Sequence, residues 1–123
     1  KQQKLVDPIQ YAFSIAAEDL ANYEPSFAWE MAPATSRQLE YLERHGIYPD
    51  SVSNCGLASL LIEKLKNRQI EGLATPKQIR FLERYGFIHV GMWAFDAASK
   101  MITRIAENRW MLPRGVSASS YQP

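Results

Sequence analysis

Apolar residues recur every three or four positions through most of the chain, which is the spacing of one face of a helix. The first run predicts one helix, from an N-cap and first-turn proline at Asp7-Pro8 to a stop at Glu24-Pro25. Phe27, Trp29 and Met31 follow in an irregular linker, and we expect this linker to pack against the repeats. The face predicted for the helix comprises Ile9, Ala12, Phe13, Ala16, Leu20 and Tyr23.

The rest of the pattern occurs twice. The stretch from Ala34 to Gly46 returns, after about 40 residues, as the stretch from Ala74 to Gly86. A constant offset indicates duplication of one supersecondary unit. Each copy is near the size below which a domain buries too little apolar surface alone. We therefore expect the copies to pack on each other or on the segment before them.

Both copies carry the signals of a helix, a loop and a second helix. Capping boxes start the first helices, from Thr35 to His45 and from Thr75 to Tyr85, and glycines at the C′ position end them. Apolar stripes predict the second helices near residues 54–68 and 95–108. The capping pairs and closing glycines, to which we assign no partner, are Thr35–Gln38, Thr75–Gln78, Gly46 and Gly86.

The predicted fold class is all-α, an N-terminal helix plus two tandem helix–loop–helix repeats packed together. The strand signal is confined to a short candidate at residues 87–90. Residues after Pro113 are Ser-rich and lack periodicity, which predicts a flexible tail. The predicted organisation is N-terminal helix and linker at 1–32, repeat 1 at 33–72, repeat 2 at 73–112 and tail at 113–123.

Composition narrows the class of protein. The apolar content of 46% suits a folded globule, and no apolar run approaches the roughly 18 residues of a membrane span. One cysteine, Cys55, leaves no internal disulfide and fits a reducing cytosol, so we expect a cytoplasmic protein with no membrane partner. Net charge runs from −3 over residues 1–32, through 0 over 33–72, to +4 over 73–123. This asymmetry favours a polyanion partner for the C-terminal part.

Sequence motifs for catalysis are absent. The chain has no Gly-x-x-x-x-Gly-Lys-Ser/Thr loop, no Gly-x-Ser-x-Gly elbow and no His-Glu-x-x-His pair. His45, Cys55 and His89 lack the spacing of metal ligands. We therefore expect a non-catalytic protein with no cofactor and no metal.

The polar face of the first helix differs between the two copies. Positions i, i+3 and i+7 on one side of this helix hold two arginines and a carboxylate in repeat 1, but three cations in repeat 2. Arginine and lysine supply most contacts to nucleic-acid phosphates, so the change predicts a phosphate-binding surface. An ordinary solvated helix face is the alternative. The two sets are Arg37, Glu40 and Arg44, and Lys77, Arg80 and Arg84.

Two further features extend this surface of repeat 2. Lys100 and Arg104 lie one turn apart on the second helix. Trp93, in the loop between the helices, either stacks on an unpaired base or folds back to close a thin core. The predicted nucleic-acid-binding residues are Lys77, Arg80, Arg84, Trp93, Lys100 and Arg104.

The run from Thr75 to Phe87, continued by residues 89–95 and 105–108, resembles a C-terminal module of DEAD/DEAH-box helicase-like proteins from phages and integrative elements of gut bacteria. Residues 5–31 are similar to the stretch that precedes this module. The resemblance extends from Leu5 to Gly115 and implies an accessory domain of a nucleic-acid motor, with ATP hydrolysis performed elsewhere in the parent protein. The repeat is also similar in layout to SAP-like DNA-binding modules.

Two hypotheses follow for the function. In the first, repeat 2 gives a helicase-like protein weak, non-specific and salt-sensitive binding to nucleic acid, with DNA expected. In the second, the acidic first third and the linker at Phe27–Trp29 dock the parent motor onto a replication or mobilisation partner. An exposed apolar patch at this linker favours docking, and a continuous positive surface on repeat 2 favours nucleic acid.

Overall fold

Seven α-helices follow one another in the computed structural model, which describes residues 5–123. The all-α fold class is confirmed, and the described residues form isolated β-bridges but no strand, including at 87–90. The SAP-like layout stays a prediction. Short 3-10 turns at Pro49–Ser51 and Val90–Met92 lie between the two helices of each repeat. The helices are α1 Pro8–Ser14, α2 Glu18–Ala21, α3 Ala28–Met31, α4 Ser36–Arg44, α5 Cys55–Ile70, α6 Pro76–Arg84 and α7 Phe95–Glu107.

Both predicted capping boxes are present. The Gln38 backbone N–H donates to Thr35 Oγ1 at 3.1 Å, and the Thr35 N–H donates to Gln38 Oε1 at 2.9 Å. Thr75 and Gln78 repeat the pair at 3.2 and 3.0 Å. The glycines that close α4 and α6 have φ of 91° and 95°, a left-handed conformation that glycine adopts without steric cost. Local sequence therefore sets both ends of these helices.

The duplication is also visible in the backbone contacts that close each repeat. Pro33 and Asn54 form an isolated antiparallel bridge in repeat 1, and Leu73 and Ala94 form its counterpart in repeat 2. The hydrogen bond beside this bridge repeats as well. The Cys55 N–H donates to the Ala32 carbonyl at 2.6 Å in repeat 1, and the Phe95 N–H donates to the Gly72 carbonyl at 2.7 Å in repeat 2. Each repeat is thus a closed unit in which the entry to the first helix contacts the start of the second.

Equivalent positions of the two repeats fill the core. Leu42 of α4 and Leu82 of α6 are both 0% exposed, and each faces the apolar stripe of the second helix in its own repeat. The stripes keep the spacing of three and four residues that predicted them. Their buried members are Ala58, Leu61 and Leu65 on α5, and Ala98, Met101 and Ile105 on α7.

The N-terminal segment departs from the single helix that was predicted. α1 ends at Ser14, Ala16 has φ of 57°, and α2 starts only at Glu18. The predicted buried face is wrong as well, because Phe13 is 71% exposed whereas Tyr11 is 1% exposed. A periodic pattern predicts one face only if the helix is unbroken. The break lets α1 and α2 bury different faces.

α1 and the residues before it contact both repeats. The Val6 N–H donates to the Gly46 carbonyl at 2.7 Å, and the Tyr48 N–H donates to the Val6 carbonyl at 2.8 Å. At the far end of α1, Ser14 Oγ donates to Glu83 Oε2 on α6 at 2.8 Å. The N-terminal segment therefore connects repeat 1 to repeat 2.

The C-terminal residues pack on repeat 2, so the prediction of a loose tail is wrong for them. The Tyr121 ring lies 5.7 Å from the Phe87 ring, centroid to centroid, and Ala118 is 9% exposed beside Gly86. The segment holds its place through a few separate contacts without forming a helix. Such contacts leave no periodic signal in the sequence.

Candidate nucleic-acid interface

α6 carries its three cations on the side that faces away from the core. Ile79 and Leu82, on the opposite side, are 2% and 0% exposed. Lys77 and Arg84 are exposed and Arg80 is half-buried. At 3.6 residues per turn, positions i, i+3 and i+7 fall within about 60° around the helix axis. The three side chains therefore form one stripe along α6, as the sequence spacing predicts.

The cations of this stripe have no carboxylate partner within residues 5–123. The ion pair found in that part of the chain joins Lys64 Nζ to Asp19 Oδ2 at 2.9 Å, between α5 and α2. Glu83, which is adjacent to the stripe, accepts its hydrogen bond from Ser14. The positive charge of the stripe is consequently not neutralised by an ion pair from the described part of the chain.

The two predicted cations on the second helix are also accessible. Lys100 and Arg104 are exposed on α7, whose buried side carries Ala98, Met101 and Ile105. They too form no ion pair within the described part of the chain. Five of the six predicted residues therefore retain solvent contact.

The sixth predicted residue, Trp93, is not available to stack on a base, so this prediction is wrong. Its side chain is 4% exposed, and its ring lies 5.4 Å from the Phe87 ring and 5.5 Å from the Tyr121 ring. The alternative, in which Trp93 closes the core, is what the structure shows. A large ring is buried here because two short helices leave apolar space near their connecting loop.

A groove between the repeats extends the positive surface beyond α6. Its volume is about 530 Å³, and Lys77, at the start of α6, lines it together with Arg44 of α4 and Arg68 of α5. The carbon chain of Lys77 passes close to Gly46 at the end of α4. Cations of both repeats thus meet at one place, although the sequence pattern treats the repeats separately.

Arg68 and Tyr11 form the floor of this groove. Arg68 Nη2 donates to the carbonyls of Ala74 at 3.0 Å and Gly91 at 2.8 Å. Burial raises the pKa of Tyr11 to about 12, so its hydroxyl is neutral beside the guanidinium. Burial also lowers the pKa of Arg68 from its usual value. The Tyr11 hydroxyl and Arg68 Nε are both buried and find no hydrogen-bond partner within residues 5–123.

His45 and Cys55 have structural surroundings. Burial, followed by repulsion from Arg44, lowers the pKa of His45, and its ring stacks on the Tyr41 ring at 4.2 Å. Cys55 is half-buried and accepts a hydrogen bond from Gln38 Nε2 at 3.5 Å. Among residues 5–123, no group of three or more His, Cys, Asp and Glu side chains is arranged to hold a metal ion.

The linker before repeat 1 does not pack its large apolar residues, contrary to the prediction. Phe27, Trp29 and Met31 are 65%, 57% and 60% exposed, and they lie in and beside the short helix α3. α3 is held by Glu30, whose carboxylate accepts hydrogen bonds from the Tyr23 hydroxyl and the Phe27 N–H. Polar contacts fix this helix, and its apolar side chains are left in solvent. We call Phe27, Trp29 and Met31 the apolar patch.

Sequence reasoning missed the groove and two residues that shape it. Phe95 lines the groove and is 44% exposed, and Arg68 joins the entry to α6 to the 3-10 turn before α7. The available signal was the comparison of copies, since Phe95 aligns with the much smaller Cys55. A large aromatic residue at the first position of a helix has little core to fill.

Comparison with protein-family models, with curated proteins and with solved structures finds no match. Within residues 5–123, no helix combines the length and the apolar character needed to cross a membrane.

Proposed function

We propose that the chain is a non-catalytic accessory domain of a helicase-like protein, and that it holds nucleic acid, DNA in particular, through the cations of repeat 2. The observation that carries this proposal is the stripe of α6, three cations on the solvent side that have no ion-pair partner among residues 5–123. The helicase context comes from the resemblance of the repeat to C-terminal modules of such proteins.

The dimensions of the stripe suit a single backbone of nucleic acid. Lys77 and Arg84 are seven residues apart, which is about 10 Å along a helix. One strand advances about 3.4 Å per nucleotide, so the stripe spans roughly three phosphates. Contacts of this kind position the backbone without reading bases. Binding is therefore weak, non-specific and sensitive to salt.

The first prediction concerns charge reversal on the stripe. Arg80→Glu combined with Arg84→Glu is expected to weaken binding of a labelled DNA strand by about tenfold or more at low salt, because two phosphate contacts are lost. The slope of log affinity against log salt should also fall by about 1.4, or roughly 0.7 per phosphate on a single strand. Fluorescence anisotropy at low and at physiological salt measures both quantities.

The matched control changes the same charge elsewhere. Arg109→Glu with Arg114→Glu alters two exposed arginines outside the stripe and should leave affinity close to that of the wild type. Equal losses in the two double variants would mean that net charge alone matters, and this would contradict the assignment to α6. Circular dichroism checks that both variants remain folded.

A second candidate function, docking of a protein partner, is favoured by the apolar patch. Exposed aromatic residues that are held on a fixed helix are typical of interaction sites. The acidic first third of the chain, with a net charge of −3 over residues 1–32, favours a partner that carries lysine and arginine. The motor domain of the parent protein, or a replication or mobilisation protein, is the partner that this candidate requires.

This candidate predicts that Trp29→Ser weakens association with an isolated motor domain of the resembled helicase-like class by at least tenfold. Tryptophans that become buried when an interface forms are frequent hot spots of binding energy. Trp110→Ser is the matched control, because Trp110 is 59% exposed against 57% for Trp29. Isothermal titration calorimetry measures both affinities. Unchanged affinity for the Trp29 variant would exclude the apolar patch as the docking site.

A further inference from the structure

Phe95 is the groove residue that core packing does not explain. It is the first residue of α7, and it lines the groove with 44% of its side-chain surface exposed. Its backbone is fixed, because its N–H donates to the Gly72 carbonyl at 2.7 Å beside the Leu73–Ala94 bridge. The ring is therefore an apolar surface held in place at a solvent-filled groove.

The charges around this ring favour an anion. Arg44, Arg68 and Lys77 line the groove against one carboxylate, that of Asp96. The cations come from both repeats, and their charges are brought together by the fold. A ligand with a phosphate group and an apolar ring system would match the cations and Phe95 at once.

The floor of the groove gives independent support. The Tyr11 side chain is 1% exposed, and its hydroxyl lies beside the Arg68 guanidinium at the base of the groove. Arg68 Nη2 donates to the Ala74 and Gly91 carbonyls, so this guanidinium is fixed beneath the groove. A fixed cation at the base adds to the attraction that Arg44 and Lys77 exert on an anion.

We infer that the groove binds one nucleotide of a single-stranded nucleic acid, with the base stacked on Phe95 and the phosphate held by Arg44 and Lys77. The inference rests on the proposed nucleic-acid function and names the form of ligand. A volume of about 530 Å³ lies within the range of about 300–1,000 Å³ of small-ligand pockets. Stacking on a protein ring requires an unpaired base, so a duplex meets the stripe of α6 but does not fill the groove.

The test compares a labelled 12-nucleotide oligo(dT) with its duplex with oligo(dA), using the full chain and fluorescence anisotropy. Phe95→Ala should weaken binding of oligo(dT) by about 5- to 100-fold, the range found when a stacking ring is removed, and leave the duplex affinity unchanged. Phe95→Tyr, which keeps the ring, should bind oligo(dT) like the wild type. Phe13→Ala removes an exposed ring outside the groove and should have no effect.

The outcomes separate this inference from the proposed function. If Phe95→Ala binds oligo(dT) normally while the Arg80 and Arg84 double variant loses binding, the groove site is overturned and the phosphate surface stands. If neither form of DNA binds the wild type, both are overturned. A second measurement uses the unaltered protein, with thymidine 5′-monophosphate titrated into the ¹⁵N-labelled chain. Shifts at residues 72–77 and 94–96 support the site, and shifts confined to other residues overturn it.

Discussion

Leu82→Ala is expected to lower the free energy of unfolding by about 2–5 kcal/mol, the range for truncating a fully buried leucine. Leu82 is 0% exposed on the side of α6 that packs against the apolar stripe of α7, so removing its side-chain atoms leaves a cavity. Domains of ordinary size have about 5–15 kcal/mol of stability in total, so the loss is a large part of it. Urea denaturation followed by circular dichroism measures the change.

The duplication provides a matched partner for this experiment. Leu42 occupies the equivalent position of repeat 1 and is also 0% exposed, so Leu42→Ala should destabilise by a similar amount. Ile70 is 84% exposed, and Ile70→Ala should change stability by no more than about 0.5 kcal/mol. Because α1 connects the repeats, both leucine variants should show one unfolding transition. Two separate transitions, with a changed urea midpoint for only one of them in each variant, would contradict the connection of the repeats through α1.

Gly91→Ala is expected to destabilise the protein by about 1–3 kcal/mol through overpacking. A methyl group at Gly91 would overlap the backbone carbonyl oxygen of Ser14 and come within 3.1 Å of Ile15 Cα. These are backbone atoms at the end of α1, which cannot rotate away as a side chain can. Thermal unfolding and urea denaturation of the variant measure the effect.

Ser51→Ala is the control for this substitution, because Ser51 is exposed at the corresponding place in the 3-10 turn of repeat 1. Its stability should stay within about 0.5 kcal/mol of the wild type. A Gly91 variant as stable as the Ser51 variant would show that α1 does not rest against this turn in solution.

The helices that open the repeats could be predicted because their signals are local. Thr35 and Thr75 each bond a partner three residues away, and the glycine that ends each helix is required by the backbone there. The apolar stripes of α5 and α7 gave the second helices to within two residues, since an uninterrupted helix keeps its period. These elements depend little on the rest of the chain.

The N-terminal segment and the loops could not be predicted in the same way, because distant contacts decide them. Ala16 takes a left-handed conformation without a glycine or asparagine to signal it, beside the contact between Ser14 and Gly91. The sequence around Trp93 is compatible with either an exposed or a buried ring, and contacts with the Phe87 and Tyr121 rings bury it. The apolar patch was expected to be buried because bulky linker residues usually find a surface to cover.

The groove could not be predicted from the sequence, because its residues come from five helices that only tertiary packing brings together. These helices are α1, α4, α5, α6 and α7. No local pattern relates Tyr11 to Arg68 or Arg44 to Lys77. The cations were visible in the sequence as members of separate helices, and only packing brings them within one site.

The closed repeats also bear on how such a protein diversifies. By the offset of the duplication, Arg44 and Lys77 correspond to Arg84 and Arg37, which lie on open surface outside the groove. The position of Arg44 and Arg84 thus lines the groove in repeat 1 and lies on open surface in repeat 2, and the position of Arg37 and Lys77 does the reverse. A single unit contains no such groove, so the duplication itself created the concave site. Later substitutions at these positions can change one copy while the frame of both is preserved.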